Sequence, residues 1–426
     1  MRDIKNIFKL TLKRYGLWIL LLSVFIAANI GLKQKGDIDR SVDEFRHGTL
    51  EMANEVGDDF DALNTKIDQS YIDKSIEISK KYIKKNDLAG YLKARDLSEE
   101  EMDQFMAGFN EKNGIWEKIA TYDSWSWSLE DVTKWNQPYR DKYNTHSYSQ
   151  GLESFVNNLT LPTIVFVIIL GALITSLEQS LAYYDFTMMY PWKKKDEVWM
   201  KALVIFVIGL VLMAINLIIG MATLKSSELG AIVNFSAIWQ PISKTILGLL
   251  GASIITIATG MIAGNFLGHG GLLIIAAGGL DLLHTIAIVS VESFSTSLSS
   301  QMSKSYDQFV EKVPSFFKTF ISFFRLEDTY ESYIGLIILG IIWAIVAYII
   351  NAKTSAEKSG YMIISRPVEI ITKVIAIFAL GTLINVVIGS AFFADTSYLL
   401  NIIVFALGLL ISKKLFDILF KVRLKF

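Results

Sequence analysis

Apolar runs long enough to cross a bilayer alternate with polar segments along the chain. The first run covers residues 16–32 and the second covers residues 156–177. Transmembrane helices three to five are expected within residues 202–291, and helices six to eight within residues 333–412. Because about 20 apolar residues in a helix span the hydrocarbon core, the pattern predicts an all-α polytopic membrane protein with about eight transmembrane helices.

The polar segments show a periodicity of their own. Residues 1–15 place Ile4 and Ile7 on one helical face and lysines on the other, which is typical of an amphipathic helix at the membrane interface. Residues 33–155 combine helically spaced apolar positions with several glycines, so we expect a mostly helical domain there. Residues 292–332 are polar with regularly placed phenylalanines, and we expect an amphipathic segment along the outer leaflet.

The placement of lysine and arginine predicts the orientation. These residues cluster in segment 1–15, in the loop 178–201, between helices six and seven, and in the tail 413–426. Cytoplasmic loops are enriched in such residues, so both termini and the loop 178–201 are predicted to be cytoplasmic. Segments 33–155 and 292–332 then face outward as an extracellular domain and an extracellular amphipathic segment. We expect a multi-pass protein of a cell membrane, most simply the bacterial plasma membrane.

Composition narrows the classes of function. The chain has no cysteine, so neither a disulfide nor a thiolate metal site can form. A phosphate-binding loop of the form GxxxxGK[ST] is also absent from the sequence. We therefore expect no enzyme activity, no catalytic or metal site and no nucleic-acid partner for this chain. Any ATP would be hydrolysed on a separate polypeptide.

Residues 178–201 form a short, basic and aromatic loop between helices two and three. Glu178 precedes the stretch 190–194 (Tyr-Pro-Trp-Lys-Lys), and Lys201 opens helix three. This arrangement resembles the permeases of ATP-binding-cassette (ABC) transporters of the type 2 export class. In that class a glutamate near the end of helix two precedes a Leu-Pro-x-Ser-Arg-like turn and a lysine. The stretch 357–360 (Glu-Lys-Ser-Gly) is similar to a Glu-x-x-Gly phrase in some of these permeases.

The resemblance covers the chain up to helix five and implies a partner for the loop. The loop would form a coupling helix that docks on cytoplasmic ABC ATPase subunits carrying ATP and magnesium, while the chain pairs with a second permease copy or homologue. Aromatic side chains flanked by lysines suit such an interface. Alternatively, the lysines only follow the positive-inside rule and the tryptophans lie at head-group level. The implied docking residues are Glu178, Tyr184, Phe186, Pro191, Trp192, Lys193, Lys194 and Lys201.

The predicted extracellular domain bears on the substrate. It is acidic, which favours a cationic partner, and its later part is rich in aromatic residues. We expect a permease that expels amphipathic or antimicrobial peptides, for export or self-immunity, with lipid export by the same machinery as the alternative. The aromatic residues form either an extracellular ligand surface or the core of the domain. The candidates are Trp116, Trp125, Trp127 and Trp135.

Two ionisable residues lie within predicted helix five. Asp281 and His284 are three positions apart and share a helical face, and ionisable groups at membrane depth are often functional. They could contact substrate or relay protons in an ion-coupled transporter. The alternative is a structural hydrogen bond to another helix, for example to Asn216 or Thr256. A further class is a non-transporting receptor or scaffold that binds a ligand outside and recruits a cytoplasmic partner.

Overall fold

The computed structural model describes residues 2–94, 115–133, 151–181, 193–353, 356–392 and 398–425. These residues are helical apart from short connections, and they include no strand beyond one isolated bridge. The all-α prediction is confirmed. In chain order the helices are α1 (Arg2–Val56), α2 (Gln69–Lys85), α3 (Ala89–Ala94), α4 (Ile115–Thr133), α5 (Gly151–Ala172), α6 (Glu197–Ser226), α7 (Trp239–Ile262), α8 (Phe266–Glu292), α9 (Thr296–Lys312), α10 (Ser315–Ile321), α11 (Tyr330–Asn351), α12 (Arg366–Phe392) and α13 (Tyr398–Leu419).

Seven helical stretches in the described ranges are long and apolar enough to cross a membrane. They lie in α1, in α5 with its continuation to Ser180, and in α6, α7, α8, α11 and α12. This is one fewer than the eight expected. The predicted eighth run lies in α13, which is not among the seven. Lys413 and Lys414 follow its apolar run, and the whole helix has 22 residues, about the length that a crossing requires.

The chain divides into two compact units. The first unit comprises Met1–Leu20, Leu161–Leu212 and Ser243–Phe426, and the second comprises Leu21–Thr160 and Met213–Ile242. The second unit therefore contains the described part of the predicted extracellular domain, and the first contains most of the candidate membrane helices.

The amino-terminal segment differs from the expectation. We expected an amphipathic helix over residues 1–15 and a separate transmembrane helix over 16–32, but α1 continues without a break from Arg2 to Val56. Neither proline nor a positive-φ glycine interrupts it, so the helix has no reason to end. Ile7 and Thr11, one turn apart, are buried, whereas the neighbouring lysines are exposed. The amphipathic pattern is real, but it lies within one long helix.

Helix α8 is bent at Gly279, where φ is +46° and ψ is −128°. This backbone conformation is one that side chains strongly disfavour. A Cβ at this position would also overlap the carbonyl oxygen of Ile321. Glycine therefore permits both the bend and the close approach of the last residues of α10. Predicted helix five is thus two helical pieces joined at a hinge.

The connections at one end of the first unit are joined by hydrogen bonds. The turn after α7 meets the segment before α12, where Gly264 N–H donates to Met362 O at 3.1 Å and Gly360 N–H donates to Gly264 O at 2.8 Å. The carboxyl-terminal residues join them, since Leu424 N–H donates to Gly360 O at 2.8 Å. Arg423 Nε donates to Ser359 O at 2.8 Å. The end of α13 and the connections α7–α8 and α11–α12 thus lie together.

Candidate functional site

A buried cluster of charges holds the two ends of the loop 182–192. Lys201 Nζ lies 2.9 Å from a carboxylate oxygen of Glu178 and 2.9 Å from one of Glu197. The same ammonium donates to the carbonyl oxygen of Ile174 at 2.5 Å. Arg14 of α1 pairs with the other oxygen of Glu178. Glu178, Glu197 and Lys201 are each no more than 6% exposed, so the pairs are shielded from water.

The chain positions this cluster through an irregular turn in the continuation of α5. Residues Leu173–Leu177 form a π-helical turn, in which each backbone hydrogen bond closes a wider ring. Two of its carbonyl groups accept hydrogen bonds from side chains of other helices: Leu173 O from the Tyr15 hydroxyl at 3.2 Å, and Ile174 O from Lys201. The turn therefore supplies backbone acceptors to both α1 and α6.

The start of α6 completes the cluster. Glu197 and Lys201 are four residues apart and face each other on the helix. Lys194, in the turn before α6, lies 3.3 Å from Glu197. We name these five residues, Arg14, Glu178, Lys194, Glu197 and Lys201, the loop-base cluster. It fixes the last turn before the loop to the first turn after it.

The stretch that follows α11 reaches the same place. The Ser359 hydroxyl donates a hydrogen bond to the carbonyl oxygen of Gln179, one residue beyond Glu178. Ser359 and Gln179 are both buried. The two sequence stretches that carried the resemblance, around Glu178 and over residues 357–360, therefore meet in the structure. The sequence alone does not predict this contact, because the two residues are 180 positions apart.

The predicted docking residues divide into two groups. Glu178, Lys194 and Lys201 form ion pairs within the chain at the base of the loop, and a role for them in docking stays a prediction. Lys193 is exposed. The remaining four, Tyr184, Phe186, Pro191 and Trp192, lie outside the described residues.

Asp281 and His284 follow the hinge of α8 and contact the segment after it. The Asp281 carboxylate accepts a hydrogen bond from the Tyr306 hydroxyl at 2.8 Å and pairs with Arg325 Nε at 3.0 Å. The His284 ring stacks on the Tyr306 ring at a centroid distance of 3.6 Å. Burial, aided by the neighbouring Asp281 carboxylate, raises the pKa of Tyr306. Sequence reasoning missed Tyr306 and Arg325 because both lie in a segment that we assigned to the outer leaflet.

Asp281 forms no hydrogen bond with Asn216 or Thr256, the two partners suggested by the sequence. Both side-chain polar atoms of Asn216, and the hydroxyl of Thr256, are buried without a hydrogen-bond partner among the described residues. The structural alternative for Asp281 therefore has support, but through Arg325 and Tyr306.

A cavity of about 490 Å³ lies beside the hinge. Its walls come from α5, α7, both pieces of α8, α11 and the phenylalanines after α10, and they are almost entirely aliphatic and aromatic. The polar side chains in the lining are Thr256, Asp281 and Thr285. Pockets of this size and lining are typical of sites for small apolar molecules.

The tryptophans of the second unit separate into core and surface. Trp125 is 3% exposed, and its indole N–H lies 2.8 Å from the Ser75 hydroxyl and 3.2 Å from that of Thr49. Trp127 is 65% exposed and Trp116 is 41% exposed, so both lie at the surface. Trp135 lies outside the described residues. The cluster thus contains a core residue and two surface residues.

Comparison with protein-family models, curated proteins and solved structures found no match.

Proposed function

We propose that this chain is the transmembrane permease subunit of an ATP-driven ABC exporter of a bacterial plasma membrane. In this proposal the loop 182–192 docks on cytoplasmic ATPase subunits, which bind ATP and magnesium. The chain pairs with a second permease, either a copy or a homologue. Substrate leaves when a movement of the ATPases, transmitted through the loop, changes the packing of the helices.

The observation that carries the proposal is the loop-base cluster. A loop can transmit a push only if its ends are attached firmly to the helices that must move. Here Glu178 and Lys201 join the end of α5 to the start of α6, and Arg14 adds α1. Removing one partner of such a buried pair costs about 3–5 kcal/mol, because the remaining charge is not stabilised by water. A docked loop would therefore move these helices rather than bend away from them.

The grouping of connections supports the proposed orientation. The loop-base cluster, the turn after α7, residues 359–364 and the carboxyl-terminal residues are linked at one end of the first unit. This end carries the lysines and arginines that the positive-inside rule assigns to the cytoplasm. Both termini and the loop are then cytoplasmic, and the second unit contains the extracellular domain.

We also propose that α13 is the eighth crossing. It runs antiparallel to α12, since Lys373 near the start of α12 pairs with Asp417 near the end of α13 at 2.5 Å. The two helices approach closely where Gly381 faces Gly408. Small residues at such a contact are typical of helix pairs in membranes.

The test compares two tryptophans at the loop. Trp192→Ala removes an aromatic anchor that the resemblance assigns to the ATPase interface, and Trp199→Ala removes a 39% exposed tryptophan from the first turn of α6. We expect Trp192→Ala to lower ATPase copurification and ATP-dependent export about tenfold or more, because interface anchors typically contribute 2 kcal/mol or more. Trp199→Ala should leave both unchanged.

Two outcomes would reject the proposal. One is purification of the full chain from its native membrane with no protein that contains a GxxxxGK[ST] loop. The other is export by Trp192→Ala at the wild-type rate. An ion-coupled transporter would instead transport under a proton gradient without ATP and lose that activity in Asp281→Asn.

The substrate proposal is a cationic amphipathic peptide, with lipid as the alternative. The second unit exposes Trp116 and Trp127, and it has a depression of about 520 Å³ whose lining includes Asp43, Glu44 and Glu51. Such a surface attracts a cationic, aromatic-binding ligand. The apolar cavity beside α8 favours the lipid alternative. Export from inverted vesicles, measured with a labelled cationic peptide and with a labelled phospholipid, separates the two.

A further inference from the structure

We propose that the cavity beside the α8 hinge binds an amphiphile with one hydrocarbon chain and a cationic head group, with the chain inside the cavity and the head group at Asp281. This inference does not rest on ATP coupling, because it concerns binding to the isolated chain.

The walls determine the apolar part of the ligand. Ile164, Ile255, Leu273 and Leu336 represent four different helices that face the cavity, and their side chains offer only hydrocarbon contacts. An aliphatic chain gains about 0.8 kcal/mol for each methylene group that it buries in such surroundings. A volume of about 490 Å³ accommodates a chain of this kind but not a folded peptide.

The opening of the cavity determines the head group. Asp281 lines the cavity, and Arg325, which pairs with it, also lies 3.9 Å from Asp307. Two carboxylates and one guanidinium give this group of three side chains an excess of one negative charge, and Asp281 is its member in the cavity lining. Both Asp281 oxygens have a donor already, but a carboxylate has about four acceptor positions. An amine can therefore join the pair without replacing Arg325, whereas an anionic head group would meet the excess negative charge.

A second polar group lies deeper in the cavity. Thr256 is fully buried, lines the cavity, and its hydroxyl has no hydrogen-bond partner. A Cβ at Gly171 would overlap the Thr256 methyl group, so that methyl faces α5. The turn that joins α7 and α8 lies about eight residues after Thr256 and about seventeen residues before Asp281. At about 1.5 Å per helical residue, the two side chains therefore differ in depth by roughly 13 Å. The hydroxyl therefore offers a contact to a polar group near the far end of a bound chain.

The rim is also suited to a ligand that arrives from the lipid. Phe324 lines the cavity and is 81% exposed, and Ile274, also in the lining, is 63% exposed. Apolar side chains of this kind beside an opening favour lateral access from the bilayer over access from water.

The experiment uses the purified full chain in nanodiscs of phosphatidylcholine. The probes are hexadecylamine carrying a photoreactive diazirine and the matching hexadecyl sulfate, and labelled peptides are identified by mass spectrometry. We expect the amine to label α7, α8 and α11 saturably and the sulfate to label them at least about tenfold less, a difference of about 1.4 kcal/mol. Equal labelling by the two probes would overturn the assignment of the head group.

Two pairs of variants locate the site. Ala277→Trp fills the cavity, whereas Leu283→Trp places the same side chain at a 45% exposed position of the same helix. Asp281→Asn removes the rim carboxylate, whereas Glu292→Gln removes an exposed carboxylate at the end of α8. Amine labelling should fall only in the first member of each pair. Equal labelling in Ala277→Trp and Leu283→Trp would place the ligand elsewhere.

Two further measurements keep the test decisive. If Ala277→Trp fails to fold, as shown by its thermal unfolding, competition on the wild-type chain decides instead. Displacement of the probe by unlabelled hexadecylamine supports the site, and labelling that no competitor reduces rejects it. In Thr256→Val the preference for an ω-hydroxylated amine over the plain amine should disappear. A preference that survives this substitution, or is absent from the wild-type chain, rejects the contact to Thr256.

Discussion

The buried ion pair between Glu178 and Lys201 joins the two ends of the loop 182–192. Lys201 and Glu178 are separated by more than twenty residues in the sequence, yet their charged groups lie 2.9 Å apart. Both are buried, so removing either one takes from the other a close partner of opposite charge at a site that water does not reach. This interdependence can be measured.

We predict that Glu178→Gln and Lys201→Met each lower the free energy of unfolding by about 3–5 kcal/mol, the usual cost of leaving one partner of a buried pair. The double variant should lose clearly less than the sum, because neither charge then remains. Denaturant unfolding of the purified chain in detergent gives the coupling energy. As a control, Lys81→Met and Glu77→Gln break a pair with half-exposed side chains, and their coupling should be much weaker because water screens the two charges. Additive losses at Glu178 and Lys201 would contradict the role of the cluster.

The pH dependence of the second unit follows from two buried tyrosines. Burial raises the pKa of Tyr71 to about 12, and that of Tyr82 to about 12. An unfolded tyrosine titrates near pH 10, so the unfolded chain releases these protons first. The second unit should therefore lose stability progressively as the pH rises above about 10.

Tyr71→Phe should lower stability at neutral pH by about 0.5–1.5 kcal/mol, through the lost hydrogen bond to Ala62 O, but should make the alkaline decline shallower. Circular dichroism at stepped pH values tests this, and an unchanged alkaline slope in Tyr71→Phe would contradict it.

At the scale of elements, the hinge in α8 is the feature that most changes the expected picture. A straight helix five would carry Asp281 and His284 along one continuous face. The bend at Gly279 instead directs its second piece toward α9, which brings Tyr306 to both residues. The hinge thus creates both the polar contact and the cavity wall.

Two glycines of α8 provide a matched test of the hinge. Gly279→Ala places a side chain where φ is positive and a carbonyl group is adjacent, and we expect a loss of about 1–3 kcal/mol or more. At Gly271 the space is open, so Gly271→Ala should be neutral or stabilising by up to about 1 kcal/mol. Thermal unfolding midpoints of the two variants measure the difference. Equal midpoints would show that α8 is straight.

Helix positions were the part of the fold that the sequence predicted well. Helices three to five were expected within residues 202–291, and α6, α7 and α8 span Glu197–Ser226, Trp239–Ile262 and Phe266–Glu292. Hydropathy succeeds here because each transmembrane helix satisfies its own backbone hydrogen bonds, so its existence depends on local composition. The hinge was not predicted because it depends on a contact between Gly279 and Ile321, which only the folded chain brings together.

The candidate site was less predictable than the helices, because most of its contacts form only in the folded chain. Glu178 and Lys201 were singled out, but as partners of another protein. The residue that could have been added is Glu197, because its spacing of four residues from Lys201 on a helix is visible in the sequence. Arg14 could not have been added, since its contact with Glu178 joins helices that are distant in the chain. The loop-base cluster consists largely of contacts between different helices, and the hydrophobic periodicity of the sequence does not predict such contacts.

For the molecule as a whole, the division into two units predicts independent responses to mutation. Tyr71 lies in the second unit and Gly279 in the first. Residues that share no partners have additive effects, usually within about 0.5 kcal/mol. The double variant Tyr71→Phe with Gly279→Ala should therefore show the sum of the two separate losses. Hydrogen exchange should show reduced protection in the second unit for one variant and in the first unit for the other. Loss of protection in both units from either single variant would reject this independence.

The loop-base cluster also bears on how such a chain could change its partner. All five of its charged residues lie outside residues 182–192, so the frame that holds the loop does not depend on the loop's own sequence. Substitutions within the loop can then alter what it recognises without a cost to the packing of α1, α5 and α6. An exchange of residues 182–192 for those of another permease is a graft that the frame should accept. Partner choice and membrane architecture would be separable traits, open to selection or to engineering one at a time.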